Sequence, residues 1–288
     1  MAKVMIGKTL VGSTKPCFVV AEIGINHNGS LEIAKKLIDM AVEAGCDAVK
    51  FQKRTIDVVY TAAELAKPRE SIFGETNGDL KRGLEFGRKQ YEAIDAYCRA
   101  KDILWFASCW DEDSVSFIRQ FDPPCYKIAS ASLTDDDLLA YTRDQGKPII
   151  LSTGMSTLEE IYHAVRILGR SELVILHAVS TYPSEDRDTN LKVMGTLRKN
   201  FPGVPIGYSG HEKGISLTLA AVVMGACMVE RHITLERMMW GSDHSASLEP
   251  EGLKKVVRDI RKFELARGDG VKRVLPAELP IKNKLRRK

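Results

Sequence analysis

Short apolar runs without strict alternation recur along the chain, and they constrain its fold more than any other feature. Eight of these runs fall at residues 18–23, 48–52, 104–107, 126–128, 149–152, 173–177, 204–208 and 228–233. Such runs predict strands covered on both faces, as in parallel sheets. Amphipathic stretches long enough for crossover helices lie between them, at residues 31–43, 89–101, 114–120, 158–168 and 215–224. A strand-then-helix rhythm repeated eight times favours a closed (β/α)₈ TIM barrel over an open doubly wound sheet.

The length of 288 residues fits one such barrel with short extensions. We expect the barrel at 1–275, including a short N-terminal extension, and a C-terminal tail or linker stub at 276–288; a division into two domains is the alternative. Segment 58–86 breaks the rhythm and contains Gly74, Gly78 and Gly83. It predicts an extended loop over the barrel mouth, where function tends to lie.

Composition and charge exclude several classes of protein. A net charge of +4 with dispersed basic residues argues against nucleic-acid binding. No apolar run approaches the roughly 20 residues that a membrane span needs. The start, MAKVMIGKTL, has no secretory-signal pattern, and the six cysteines are scattered. We therefore expect a cytoplasmic protein with reduced thiols.

Polar side chains close nearly every predicted strand. They are Glu22, Lys50, Gln52, Ser108, Lys127, Ser130, Ser152, Thr153, Ser180, Tyr182, Ser209, His211, Glu230 and His232. In a barrel all these ends converge on one face, where the active sites of such enzymes lie. The sequence thus predicts one polar pocket built from distant parts of the chain.

Two of these residues, His211 and His232, are candidate metal ligands. Imidazole suits divalent transition metals, and open positions would remain for water and substrate oxygens. Glu230 is either a third ligand or a residue that orients the ligands. Alternatively, His211 is an ordinary loop histidine and residues 230–232 form a surface strand.

A second group of strand-end residues can bind an anion. The group comprises Lys50, Lys127, Ser130, Ser152 and Ser209. Lysines supply charge, while hydroxyls and nearby backbone amides supply directed donors, so a phosphate or carboxylate could use both. Lysines that close short apolar strands are costly to bury without an anionic partner.

Longer motifs resemble one known family. The segments AEIGINHNGS, AVKFQ, YKIAS, KPIILSTGMS, PIGYSGHEKGISLTLAAVVMGA and VERHITLERMMWGSDHSASLEP are similar to those of sialic acid synthases and their legionaminic and pseudaminic acid relatives. The resemblance spans nearly the whole chain. It implies a (β/α)₈ barrel that condenses phosphoenolpyruvate with an N-acetylmannosamine-type aldehyde sugar. It also implies a divalent ion, best matched by Mn²⁺, with Mg²⁺ and Co²⁺ as alternatives.

The resemblance also assigns roles to residues. Glu22 takes the place of the catalytic acid/base, and His211 and His232 take those of the metal ligands, with Glu230 beside them. The resemblance implies that the anion-binding residues Lys50, Lys127, Ser130, Ser152 and Ser209 bind phosphoenolpyruvate. It implies that Gln52, Tyr182 and Asp243 contact the acceptor sugar.

The chain departs from the family in three respects. Most members continue into a small antifreeze-like domain that reaches a partner's sugar site, whereas this sequence ends at Lys288; pairing into a homodimer is therefore left open. Cys109 replaces a hydroxyl near the phosphate, and Asn77 stands where animal relatives have tyrosine. The acceptor sugar could differ accordingly.

Two alternatives remain. One is a synthase of another 3-deoxy-ulosonic acid that takes a phosphorylated aldose, which an arginine-rich second phosphate site would favour; Arg54 and Arg69 are the loop candidates. The other is a noncatalytic sugar- or phosphate-binding scaffold. Glu22 together with His211 and His232 argues against it, because a pure binder needs no base beside a Lewis acid.

Overall fold

Strands and helices alternate along most of the chain in the computed structural model, which describes residues 3–287. The strands are β1 (Lys3–Ile6), β2 (Thr9–Gly12), β3 (Phe18–Gly24), β4 (Ala48–Lys53), β5 (Pro68–Ser71), β6 (Gly74–Thr76), β7 (Leu104–Cys109), β8 (Tyr126–Ile128), β9 (Ile149–Ser152), β10 (Leu173–Ala178), β11 (Ile206–Gly210) and β12 (Met228–His232). The helices are α1 (Leu31–Ala44), α2 (Ile56–Val59), α3 (Ala62–Leu65), α4 (Asn77–Leu84), α5 (Arg88–Ala100), α6 (Glu112–Arg119), α7 (Asp136–Arg143), α8 (Leu158–Leu168), α9 (Val193–Asn200), α10 (Ser216–Val223), α11 (Pro250–Ala266) and α12 (Leu279–Leu285).

Eight parallel strands close into a barrel in the order β3, β4, β7, β8, β9, β10, β11, β12, and β12 pairs with β3. The predicted TIM barrel is confirmed. All eight predicted strands are present, although β11 lies two residues beyond the predicted 204–208. Pro205, which has no N–H to donate to a sheet, immediately precedes β11.

Local sequence signals set the crossover helices. Ser30 caps α1 by accepting from the Ile33 backbone N–H at 3.3 Å, and Gly45 ends it in the left-handed region at φ 80°. Thr157 and Glu160 form a capping box at the start of α8. The amphipathic faces of these helices pack against the outer side of the barrel in a large apolar core.

The barrel interior has an apolar lower half and a polar upper half. Lower positions hold residues such as Val20, Phe106, Ile150 and Met228, which form one buried apolar cluster. One register step higher along the same strands the inward positions carry charges and hydroxyls. The antiparallel pair β1–β2 closes the lower end, because Val4, Ile6 and Val11 join this interior cluster.

The prediction that residues 58–86 form an extended loop was wrong in its details. The segment does follow the second barrel strand, but it contains the rest of α2, then α3, the β5–β6 hairpin and α4. Capping boxes at Thr61–Glu64 and Thr76–Asp79 start α3 and α4, signals that the glycine content obscured.

The C-terminal residues 276–287 are exposed and include α12. The ends of the predicted boundaries, at residues 1 and 288, lie outside the described residues. No helix within residues 3–287 is long and apolar enough to cross a membrane.

Candidate active site

A cavity of about 240 Å³ opens at the carboxyl ends of the barrel strands. Eleven of the twelve predicted site residues line it: Glu22, Lys50, Gln52, Lys127, Ser130, Ser152, Tyr182, Ser209, His211, Glu230 and His232. Asp243 is outside this lining but lies beside it, with its Oδ2 3.8 Å from Nδ1 of His232. The barrel thus brings together side chains from both ends of the chain.

A buried charge cluster forms the floor of the cavity around Glu230. Its Oε1 accepts from Lys50 Nζ at 2.8 Å and from Ser209 Oγ at 3.1 Å, and Lys127 Nζ lies 3.9 Å away. Burial raises the pKa of Glu230, but Lys127 and Lys50 outweigh burial and hold the pKa at about 2. Glu230 is therefore the permanent counter-ion of the two lysines.

The two lysines respond oppositely to this environment. Burial lowers the pKa of Lys50, but Glu22 and Glu230 outweigh it and the net shift is upward. Burial lowers the pKa of Lys127 to about 8, with Glu230 only partly compensating. An incoming anion would stabilise the charged form of Lys127, so the floor is suited to a phosphate or carboxylate.

Glu22 lies on the same floor with fewer partners. Its Oε1 accepts from Gln52 Nε2 at 2.9 Å, while Oε2, 3.4 Å from Lys50 Nζ, is buried without a hydrogen bond within residues 3–287. Burial raises its pKa to about 7, despite the opposing effect of Lys50. A carboxyl group with a pKa near neutrality can take or give a proton at working pH.

Hydroxyls and a backbone turn surround the lysines on the other side. Lys127 Nζ donates to Ser152 Oγ at 2.7 Å, and the backbone N–H of Gly154 donates to Ser130 Oγ at 2.9 Å. A Cβ at Gly154 would lie 2.2 Å from Ser180 Oγ and 2.9 Å from Ser130 Oγ, so a larger residue would displace these hydroxyls. The side chains and backbone together form a cradle for an anion.

His211 and His232 face each other across the cavity, with ring centroids 5.6 Å apart. Nδ1 of His211 donates to the Val179 carbonyl at 2.6 Å, which leaves Nε2 with its lone pair. Burial lowers the pKa of His211 to about 4 and also lowers that of His232. Both rings are therefore neutral, the form that binds metals.

The residues present fit a metal with an open coordination sphere. His232 Nδ1 is buried without a hydrogen bond in the described chain. Within residues 3–287 no group of three His, Cys, Asp or Glu side chains is placed to hold an ion. A bound ion would therefore need water or substrate oxygens besides the two imidazoles. Glu230 lies with the lysines, so its contacts fit a counter-ion better than a ligand.

The alternative that residues 230–232 form a surface strand is wrong. Glu230, Arg231 and His232 are 4%, 2% and 5% exposed. Arg231 points outward from the barrel into a buried pair, donating to Glu212 Oε1 at 2.8 Å and to the Glu212 carbonyl at 2.7 Å. This pair fixes the loop that carries His211.

The predicted acceptor residues differ in position. The Tyr182 ring lies 4.1 Å from the His211 ring, centroid to centroid, and its side chain is half-exposed at the rim. Gln52 lies deeper, between Glu22 and Arg54, whose guanidinium donates to its Oε1. Asp243 reaches the rim next to His232.

Six of the residues that line the cavity were not among the predicted site residues: Ser108, Trp110, Ala129, Ala131, Met155 and Ser180. Ser108, recognised only as a polar strand end, accepts from Lys50 Nζ at 3.2 Å. Trp110 also lines the cavity, and its indole stacks on Arg54 with 4.3 Å from the guanidinium carbon to the ring centroid. No periodicity or motif marks Trp110, since it follows the end of β7.

Comparisons with known proteins agree with this geometry. The NeuB family matches residues 37–272. N-acetylneuraminate-9-phosphate synthase of Homo sapiens is 41% identical over 280 residues, covering 96% of this chain and 78% of the relative. N,N'-diacetyllegionaminic acid synthase of Legionella pneumophila is 37% identical over 286 residues, covering 96% and 80%.

A solved structure extends the match to the fold. The crystal structure of N-acetylneuraminic acid (sialic acid) synthetase from Leptospira borgpetersenii, in complex with citrate, has a TM-score of 0.84 and 33% identity. It covers 99% of this chain and 98% of that chain. The family match over most of the chain and the similarity of these relatives indicate the same family. The chain therefore belongs to the NeuB family and, as the sequence predicted, is a carbon–carbon bond-forming transferase of the sialic acid synthase type.

Proposed function

We propose that this enzyme condenses phosphoenolpyruvate with an N-acetylmannosamine-type aldehyde sugar, giving a 2-keto-3-deoxy nonulosonic acid of the sialic acid type and phosphate. One observation carries the proposal: Glu22 shares a cavity with two neutral imidazoles and with Lys50 and Lys127, and one of its carboxylate oxygens accepts no hydrogen bond in the described part of the chain. The names of the human and Legionella relatives refer to products of this class.

Phosphoenolpyruvate fits the cradle on the cavity floor. Lys50 and Lys127 supply charge, and Ser130, Ser152 and Ser209 supply hydroxyls. Because the pKa of Lys127 is depressed, a bound phosphate would stabilise its protonated form and form an ion pair with it. Tyr182 and Asp243 lie toward the mouth, where the acceptor sugar would enter, and Gln52 lies deeper, beside Glu22.

Each step of the reaction has a place for its proton and its leaving group. C3 of phosphoenolpyruvate attacks the aldehyde carbon, and the electron-poor C2 is captured by a water. The proton of that water passes to Glu22 and replaces the one that the aldehyde oxygen takes up as it becomes a hydroxyl. The resulting hemiketal phosphate then breaks its C2–O bond, releasing phosphate as the ketone forms. Lys50 and Lys127 stabilise the charge that develops on the departing phosphate.

A divalent ion is the proposed cofactor, held by His211 and His232. When bound, it supplies Lewis acidity that polarises the aldehyde carbonyl. Mn²⁺ is the best candidate, with Mg²⁺ and Co²⁺ as alternatives, because two imidazoles and substrate oxygens make a mixed donor set. Metal analysis of purified protein tests this: a stoichiometric ion that His232→Ala loses supports the site, and equal metal content in both proteins contradicts it.

We place the enzyme in the cytoplasm. All six cysteines are unpaired within the described structure, and five of them are buried. Free thiols suit a reducing compartment. Fractionation of the native cell tests the assignment, and recovery of the protein outside the cytoplasm would refute it.

The experiment for the activity is phosphate release from phosphoenolpyruvate in the presence of Mn²⁺. The acceptors to compare are N-acetylmannosamine, its 6-phosphate, diacetamido-trideoxy sugars and arabinose 5-phosphate. We expect turnover with an amino sugar and a product whose mass equals that of the acceptor plus pyruvate. Turnover with arabinose 5-phosphate alone would favour the synthase of another ulosonic acid, and a folded sample inactive with every acceptor would favour the noncatalytic scaffold.

A further inference from the structure

Two further cations, apart from the lysines already described, belong to the part of the chain between β4 and the end of α4. Arg54 follows the end of β4 and is 9% exposed, and Lys81 lies in α4 and is half-buried. Their side chains pack against aromatic rings: Arg54 on Trp110, and Lys81 Nζ 5.0 Å from the centroid of Tyr60. We call Arg54 and Lys81 the upper cation pair.

The upper cation pair has no carboxylate partner within residues 3–287. The nearby acids are engaged elsewhere, since Glu85 pairs with Lys53 at 2.7 Å and Asp57 pairs with Arg82 at 2.6 Å. The Arg54 guanidinium donates one hydrogen bond, to Gln52 Oε1, and its Nε is buried with no partner. A buried guanidinium with an unsatisfied N–H and no counter-ion destabilises the folded protein unless an anion binds to it.

The surroundings of Lys81 lead to the same conclusion. Burial lowers its pKa, and the charges of Arg54 and Arg69 lower it further, while Asp243 opposes them. Arg54 and Arg69 therefore add positive charge around Lys81. The indole N–H of Trp110, a cavity-lining residue, is also buried and has no hydrogen-bond partner within residues 3–287. Hydrogen-bond donors without acceptors, on Arg54 and Trp110, therefore occur close to the positive charges that act on Lys81.

The position of the upper cation pair relates it to the acceptor. Gln52 bridges Glu22 and Arg54, since its amide N–H donates to Glu22 and its Oε1 accepts from the Arg54 guanidinium. From His232, Asp243 lies 3.8 Å away and is within electrostatic reach of Lys81. Arg54 is therefore one hydrogen bond beyond the predicted acceptor contact Gln52, and Lys81 feels the charge of the predicted acceptor contact Asp243.

We propose that Arg54 and Lys81 bind a phosphate group carried by the acceptor sugar at the end remote from its aldehyde, so that this enzyme selects a phosphorylated acceptor. The proposal rests on the proposed function. A phosphate monoester carries about −1.5 to −2 charges at pH 7, which matches two cations. Arginine binds phosphate oxygens in pairs and lysine adds a point charge.

The test compares kcat/KM for N-acetylmannosamine 6-phosphate and for N-acetylmannosamine. We expect the native enzyme to prefer the phosphorylated sugar by about 100-fold or more, since each charged hydrogen bond is worth roughly 10- to 100-fold. Arg54→Gln and Lys81→Gln should each lower kcat/KM for the phosphorylated sugar by about that factor, mainly through KM. Their values for the neutral sugar should stay within about 3-fold.

Arg82→Gln is the matched control, because Arg82 is the next residue of α4 and is exposed and paired with Asp57. It should leave the preference unchanged. Thermal melting of each variant verifies folding, and Lys81→Gln carries the test if Arg54→Gln unfolds, because Lys81 is less buried than Arg54. Equal use of both sugars by the native enzyme overturns the proposal while leaving the proposed function intact.

Two further outcomes also overturn it. An equal loss with both sugars in Arg54→Gln, with a shifted pH profile, would mean that Arg54 acts through Gln52 on Glu22. If neither sugar is turned over, calorimetric titration of the 6-phosphate decides: binding lost in Lys81→Gln but kept in Arg82→Gln supports the site, and absence of binding to the native protein refutes it.

Discussion

Glu22 and Glu230 lie on the paired strands β3 and β12, are equally hidden from water, and have opposite acid strengths. Glu230 contacts Lys50 and Ser209, and its pKa falls to about 2. Glu22 has one hydrogen bond and a more distant ammonium group, so burial dominates and raises its pKa to about 7. The same side chain therefore serves as a fixed charge on one strand and as a candidate proton carrier on the next.

Glu22→Gln separates these two roles. Glutamine keeps the shape and can still accept the hydrogen bond from Gln52, so the melting temperature should change little. It cannot accept a proton, so phosphate release with both substrates bound should fall by about 10²- to 10⁴-fold. Steady-state phosphate assays measure this, with exposed Glu159→Gln as the control. Near-native turnover in Glu22→Gln would remove Glu22 from the chemistry.

His27 is not among the residues that line the cavity, and we expect it to make the fold sensitive to acid. Its ring stacks on Phe86 with centroids 3.9 Å apart, and its Nδ1 accepts from the Gly29 backbone N–H at 3.1 Å. Burial, with a smaller effect of Arg54, lowers its pKa from 6.5 to about 3. Because the folded-state pKa is below the unfolded one, the stabilisation is complete above about pH 6.5 and is lost as the pH falls toward 3.

The difference in unfolding free energy between the native protein and His27→Asn should therefore become smaller at acidic pH. Between pH 7.5 and 5 this difference should decrease by about 2 kcal/mol. The estimate takes a slope of about 1.4 kcal/mol per pH unit between pH 6.5 and 5. Urea unfolding at the two pH values measures it. His163→Asn, at a half-exposed histidine, is the control measured in the same way. A difference for His27→Asn that is independent of pH would contradict the assignment.

At the scale of elements, the β1–β2 hairpin acts as the floor of the barrel. Its inward residues Val4, Ile6 and Val11 meet the lower interior residues, and Gly7 turns between them at φ 57°. A Cβ built at Gly7 would contact Leu104 at 3.1 Å, so the turn lies against β7. The hairpin therefore covers apolar surface that would otherwise face water.

Ile6→Ala should destabilise the protein by about 2–5 kcal/mol, because Ile6 is fully buried and its removal leaves a cavity. Met5 is the adjacent control: it is 49% exposed, and Met5→Ala should cost less than about 1 kcal/mol. Urea unfolding compares the two variants. Equal effects would mean that the hairpin does not seal the barrel.

The Arg231–Glu212 pair joins β12 to the loop after β11. Glu212 also accepts from Tyr208 OH at 2.8 Å and Thr218 Oγ1 at 2.7 Å, so its carboxylate is fully engaged. Removing one partner leaves the other charge buried and alone. The single variant Arg231→Met should therefore lose about 3–5 kcal/mol of stability.

The double variant Arg231→Met with Glu212→Leu is the companion measurement. Because no uncompensated charge remains, we expect it to recover more than half of the lost unfolding free energy. Metal affinity should still fall in the double variant, since His211 is next to Glu212 in the chain. A double variant no more stable than Arg231→Met would argue against charge burial as the cause.

At the scale of the whole molecule, the sequence was sufficient to predict the barrel and the pocket. Covered parallel strands produce unalternated apolar runs, so residues such as 126–128 and 149–152 could be located to the residue. Closure of the barrel then brings Glu22 beside His232, which no local pattern encodes but which eight strands require. Eleven predicted site residues meet in one cavity for this reason.

What could not be predicted depends on contacts between distant side chains. Arg54 was recognised as a loop residue, but its burial against Trp110 requires knowing where β7 ends relative to β4. The alternative of a surface strand at residues 230–232 stayed open because Glu212, the buried partner of Arg231, is nineteen positions away. The segment 58–86 carried real helix caps, which the glycines beside them made easy to miss.

Condensation at the Glu22 pocket would leave an isotopic signature in the released phosphate. Phosphoenolpyruvate labelled with ¹⁸O at the oxygen that bridges C2 and phosphorus is incubated with the enzyme, Mn²⁺ and the amino-sugar acceptor, and phosphorus NMR locates the label. Water capture at C2 followed by C2–O cleavage predicts that the phosphate retains the ¹⁸O. Recovery of unlabelled phosphate, with the ¹⁸O in the sugar acid, would show that the P–O bond breaks and would contradict the proposed chemistry.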